Sequence, residues 1–91
     1  MVIYQVNSNT IYVLGKVQRP GQFALHNPIR VLQGLALAGG LNAFAEQNKI
    51  RIFREEGGKT LIFMFKYDDV STGKKLEQNI WLKRGDVIVV R

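Results

Sequence analysis

The stretch LKRGDVIVV, Leu82 to Val90, decides the fold. Leu82 to Asp86 reads as a tight polar turn in which Gly85 and Asp86 aim the chain into Val87 to Val90. That continuous apolar run is of the kind found in a central strand buried on both faces. If the last strand lies at the centre of a sheet, the preceding segments must supply its neighbours and the layer that covers it.

Upstream, Asp68 to Gln78 is polar and includes Ser71-Thr72-Gly73-Lys74-Lys75, which predicts a loop with a single helical turn. From Lys49 the hydrophobic period is two. Ile50 and Ile52 are set against Lys49, Arg51 and Arg54, then come Glu55-Glu56-Gly57-Gly58 and the apolar run Thr60 to Tyr67, which together predict a hairpin. Between Asn27-Pro28 and Gly39-Gly40 the period changes, with apolar residues at 31, 32, 35, 36 and 38 at helical spacing. Asn27 is the expected N-cap, Pro28 the expected first helical residue, and Gly39-Gly40 a Schellman-type end with Leu41 packing back. Gly34 costs this helix about 1 kcal/mol relative to alanine, and suggests close approach to a sheet.

Further upstream, Pro20-Gly21 reads as the centre of a type II turn, because proline presets φ at the first central position and glycine accepts positive φ at the second. It separates the β-rich run Ile11 to Val17 from a short strand at Phe23 to Leu25. Val2 to Val6, with Asn7-Ser8-Asn9 as the turn, reads as the first arm of a hairpin with that run. The elements add up to one α+β domain over residues 1–91: a mixed sheet of about five strands, one helix packed on one face, and the last strand inserted at the centre. This two-layer arrangement is a β-grasp.

The chain has 91 residues and no cysteine, which removes disulfides, thiolate metal sites and cysteine nucleophiles together. No run approaches the roughly 18 to 20 apolar residues of a membrane-spanning helix. Met1 stands directly before a strand-like segment, which suggests a domain from a longer protein whose signal and anchors lie elsewhere. Thirteen Lys and Arg against seven Asp and Glu give a formal charge of +6, and make anionic partners worth weighing. The basic residues form no block, however, and read first as a solvated surface.

Catalytic chemistry has little to build on. His26 is the only histidine and has no neighbouring ligand at metal spacing. The serines and threonines sit in turn-like or strand-edge settings, Asp68-Asp69 reads as turn capping, and neither glycine cluster has phosphate-loop spacing. The expectation is a protein that is not an enzyme and has no cofactor and no metal. Among the aromatic residues, Tyr12 and Trp81 have neighbours that suggest partial exposure, and either suits stacking on a sugar or a base.

Three segments, VLGKVQRPGQFAL, LQGLALAGGLNAFA and LKRGDVIVV, resemble the SLBB domain, the soluble-ligand-binding β-grasp, especially as found in bacterial polysaccharide export proteins of the outer-membrane auxiliary type. Pro20, Gly21, Gly39, Gly40, Gly85 and Asp86 carry the pattern, as turns and caps rather than reactive groups. The resemblance implies a periplasmic domain that helps copies assemble into a ring, with polysaccharide and an inner-membrane export component as further partners. Arg19, at the tip of the Pro20-Gly21 turn, is the expected contact residue, with Tyr12 and Trp81 beside it in role. Two alternatives stand: a nucleic-acid-binding β-grasp module, favoured by the charge, and a cofactor-ligand domain of the cobalamin-carrier kind, which would need a concave apolar pocket.

Overall fold

The structure, a computed structural model, describes residues 10–91. The expected arm at Val2 to Val6 and its turn lie outside that range. Among the described residues, five strands form one mixed sheet in the order β2-β1-β5-β3-β4. They are β1 (Thr10–Gly15), β2 (Gly21–Ala24), β3 (Ile50–Glu56), β4 (Lys59–Phe65) and β5 (Val87–Val90). β5 is central as expected, parallel to β1 and antiparallel to β3. A parallel neighbour cannot be reached by a tight turn, so the helix and the whole β3–β4 hairpin are threaded between β1 and β5.

Alternation within the strands builds the core. Ile11 and Val13 of β1, Ile50 and Ile52 of β3, Phe65 of β4, and Ile88 and Val90 of β5 are buried on one face, against Val31, Leu35 and Ala38 of the helix α1 (Val31–Leu37) and its cap. Positions 31, 35 and 38 form one helical stripe. Gly34 lies in that stripe, where a Cβ would stand 2.8 Å from Leu82 Cδ1 and 3.4 and 3.5 Å from Ile88 and Ile11 of the sheet, so the expected close approach of helix to sheet is real. β5 departs from expectation: Ile88 and Val90 are buried, but Val87 and Val89 are only half-buried, because α1 covers just one face of the sheet.

The helix ends as expected and begins later. Gly39 and Gly40 take φ of +82° and +86°. The Gly40 amide donates to the Leu35 carbonyl at 2.9 Å and the Gly39 amide to that of Ala36 at 3.0 Å, which is the Schellman pair. Asn27 and Pro28 lie outside the helix, whose N-cap is Arg30 in extended conformation. The cause is distant in sequence. The Leu82 amide donates to the Ile29 carbonyl and the Val31 amide to that of Ile80, which holds 29 and 30 as a short ribbon against 80–82. The Leu32 amide is then capped by Asn79 Oδ1 at 3.0 Å, and Gln33 Oε1 accepts from the Arg30 amide.

Turn chemistry is also redistributed. Gly57 and Gly58, at φ +60° and +81°, make the two-residue hairpin turn expected between β3 and β4. Gly21 is not the centre of a type II turn: it opens β2 at φ +149°, paired with Val13, and the reversal runs through residues 16–20. Type II geometry occurs instead at the last turn, where the Asp86 amide donates to the Lys83 carbonyl at 3.1 Å and Gly85 has φ +85°. β4 stops at Phe65. The link expected as a loop with one helical turn holds two, α2 (Tyr67–Ser71) and a 3-10 turn at Leu76–Gln78, and Asp68 and Asp69 fall in the first turn of α2.

Gly15 fixes the junction of β1 with β5. At φ +97° it lies so close to the end of β5 that an added Cβ would overlap the Val90 carbonyl, at 2.0 Å. Gly15→Ala should therefore cost at least about 3 kcal/mol in urea unfolding, by backbone strain plus displacement of β5. Gly57→Asn, in open space at a φ asparagine tolerates, should cost less than about 1 kcal/mol. Equal unfolding midpoints for the two variants would contradict this packing.

Candidate functional site

A dense set of side-chain hydrogen bonds gathers at the turn into β5. Asp86 is fully buried, and it accepts from Arg54 Nε at 3.0 Å and Nη2 at 2.8 Å, a bidentate pair. The same carboxylate accepts from the Lys83 amide at 2.9 Å, and Arg54 Nη2 also donates to the Trp81 carbonyl at 2.8 Å. The guanidinium stacks over Phe63, 5.0 Å from the ring centre. Hydrogen bonding to Asp86 raises the Arg54 pKa above the usual guanidinium range, against the opposing effect of burial. A raised cationic pKa contributes stability that is lost only as pH rises through the folded value, so Arg54 stays charged through any ordinary working range.

Arg54 corrects the sequence reading, which set it on the face opposite Ile50 and Ile52. It shares their parity and points inward. The signal was available: a cation at an inward strand position requires a buried counter-charge, and Asp86 supplies it.

Arg19, Tyr12 and Trp81 are all exposed, but they do not converge. Arg19 lies at the C-terminal end of α1. The Arg19 amide donates to the Ala38 carbonyl at 2.8 Å and the Gln18 amide to that of Gly40 at 3.0 Å. Gln18 Nε2 reaches the Leu41 carbonyl at 3.3 Å, and a Cβ on Gly39 would stand 2.9 Å from Gln18 Cβ. The Pro20 loop is thus docked on the helix cap. Trp81 lies at the other end of α1, 51% exposed, with the Arg30 guanidinium 4.2 Å from its ring centre and Arg30 Nη1 donating to the Asn79 carbonyl. Tyr12 points from β1 to the face of the sheet away from α1, since Ile11 and Val13 face the helix.

Two open concavities lie on the surface, one before the helix start and one along the helix. One, about 410 Å³, is lined by His26, Asn27, Pro28, Leu82, Lys83 and Arg84. The other, about 430 Å³, is an apolar groove between Leu32, Leu35, Ala36, Gly39 and Gly40 of the α1 region and Tyr67 and Ser71 of α2. Sequence reasoning missed Phe44, which is 80% exposed on a turn where Asn42 Oδ1 accepts from its amide at 2.8 Å. The Asn42-Ala43-Phe44 order was its only signal, as a side-chain-capped turn.

Asp86→Ala strands a mostly buried guanidinium and should cost about 3 to 5 kcal/mol in chemical denaturation. Asp86→Asn, which keeps an acceptor for the Lys83 amide, should lose less. A loss below about 0.5 kcal/mol for the alanine variant would show that the pair holds nothing in place.

The family model described as the SLBB domain matches residues 10–63. That span runs from the start of β1 into β4, and takes in the docked Pro20 loop, α1 and its glycine cap. The Gly85-Asp86 turn lies beyond it. Comparison with curated proteins finds no relative that matches the chain. The match covers more than half of the chain, and the chain belongs to the SLBB domain family.

Proposed function

We propose that the chain is a non-catalytic periplasmic module of a bacterial polysaccharide export protein, which joins neighbouring subunits into a ring and touches the passing glycan through its exposed aromatic residues. Membership of the SLBB family supports the export setting. The observation that carries the assembly role is Arg19. Its backbone is held by the hydrogen bonds of residues 18 and 19 to the helix cap, while its side chain stays exposed. A guanidinium presented on a fixed loop loses little further backbone freedom when it meets a carboxylate of a neighbouring subunit or of an acidic sugar. The inner-membrane export component belongs to the same reading.

The Arg30–Trp81 stack beside Lys83 and Arg84 favours a second reading, because cations interleaved with an aromatic ring also suit single-stranded nucleic acid. Salt separates the two: phosphate-dominated binding weakens steeply with ionic strength, whereas subunit packing persists.

The test is Arg19→Ala in the full-length protein, produced in cells that export the polysaccharide. Circular dichroism should be unchanged, while the oligomer dissociates more readily and surface polysaccharide falls several-fold. Unchanged oligomer and unchanged export would refute the contact role.

A further inference from the structure

The face of the sheet turned away from α1 carries a patterned apolar surface, of which the export reading uses Tyr12 alone. Strand register sets Tyr12, Val87, Phe53 and Ile62 side by side across four strands. The adjoining row is Leu14, Val89, Arg51 and Met64. Tyr12, Leu14, Ile62 and Met64 are each 40 to 55% exposed, although they are large apolar side chains on a sheet. Beyond the first row, on its other side, β3 and β4 place Glu55 opposite Thr60.

On β3, Arg51 and Glu55 therefore stand on this face at equal spacing either side of Phe53, each about 7 Å along the strand. Among the described residues Arg51 has a buried Nε with no hydrogen-bond partner. Glu55 is exposed and makes no ion pair among the described residues. A guanidinium nitrogen without a partner among the described residues, on a side chain that lines an open concavity with Met64 and Arg91, calls for an acceptor from outside.

We propose that two copies of this chain pack through this face, about a two-fold axis that lies between the sheets, runs across the strands and passes over the Tyr12–Val87–Phe53–Ile62 row. Such an axis reverses strand direction and preserves strand order. The apolar row stacks on itself, and Arg51 comes to lie over Glu55 of the partner subunit, twice by symmetry. The surface is self-complementary in charge, as an isologous contact requires, and the modest rotation between aligned twisted sheets leaves the central rows in register. Five strands at about 4.8 Å and four residues along each bury on the order of 300 Å² per copy, less than half of a standard interface. The pairing is therefore reversible, with association expected between about 10 µM and 1 mM. This contact goes beyond the export reading and depends on neither Arg19 nor a glycan.

The test is sedimentation equilibrium of the 91-residue chain over that range, with Arg51→Glu, Glu55→Arg and the double exchange. The unaltered chain should move from 10.3 kDa toward twice that mass. Each single reversal should weaken association at least tenfold, and the double exchange should restore it to within about threefold. Since the chain has no cysteine, Phe53→Cys supplies a second readout: a short bis-maleimide should link two copies through position 53, but not through Gln33→Cys on the helix. A monomer at every concentration, absence of linking at position 53, or failure of the double exchange to restore pairing would each overturn the proposal.

Discussion

The bidentate contact of Arg54 with Asp86 is the constraint on which the molecule depends. It links the inward face of β3 to the turn that launches β5, and through the Trp81 carbonyl it reaches the irregular link as well. Among the described residues, β5 is the strand that joins the β1–β2 pair to the β3–β4 hairpin. A four-residue strand has few hydrogen bonds with which to select its own register, so fixing the residue just before it against β3 matters more than it would for a longer strand. A buried ion pair is a costly way to do this, and an apolar pair of equal volume could be as stable; what the charges add here is direction, because only one placement of the turn satisfies both oxygens of Asp86.

The same economy explains where the exposed chemistry lies. Gly15, Gly39, Gly40 and Gly85 are spent on close approaches and reversals, which leave the Pro20 loop seated on the helix cap and the 80–82 segment seated against its start. Arg19 and Trp81 consequently occupy opposite ends of α1, while Tyr12 occupies the face of the sheet turned away from α1. A surface divided in this way suits a module that meets several neighbours at once better than one that encloses a single small ligand.

Local chemistry made much of this legible. The Gly57-Gly58 hairpin, the Schellman end at Gly39-Gly40, the central position of Val87 to Val90 and the exposure of Tyr12 and Trp81 all follow from residues adjacent to them in sequence. What was not legible is nonlocal. Asn27-Pro28 has good helix-start chemistry, but the start is set at Val31 by Asn79 and by the ribbon with Ile80 and Leu82, about fifty residues away. Pro20-Gly21 has good turn chemistry, but Gly21 is drawn into β2 by its pairing with Val13. Arg54 was assigned by charge instead of by strand parity. That the three exposed site residues fall on separate surfaces could not be read before strand order and face were known.

The most direct test of the central claim is native-state hydrogen exchange at the Lys83 amide. Lys83 lies on the surface, outside any strand, and its amide has Asp86 Oδ2 as acceptor at 2.9 Å. If the Arg54–Asp86 contact fixes the turn, this amide exchanges only with the larger opening that also exposes β5, and its protection approaches that of Ile88 and Val90. Exchange as rapid as that of the Gly57 and Gly58 amides at the hairpin tip would contradict the account.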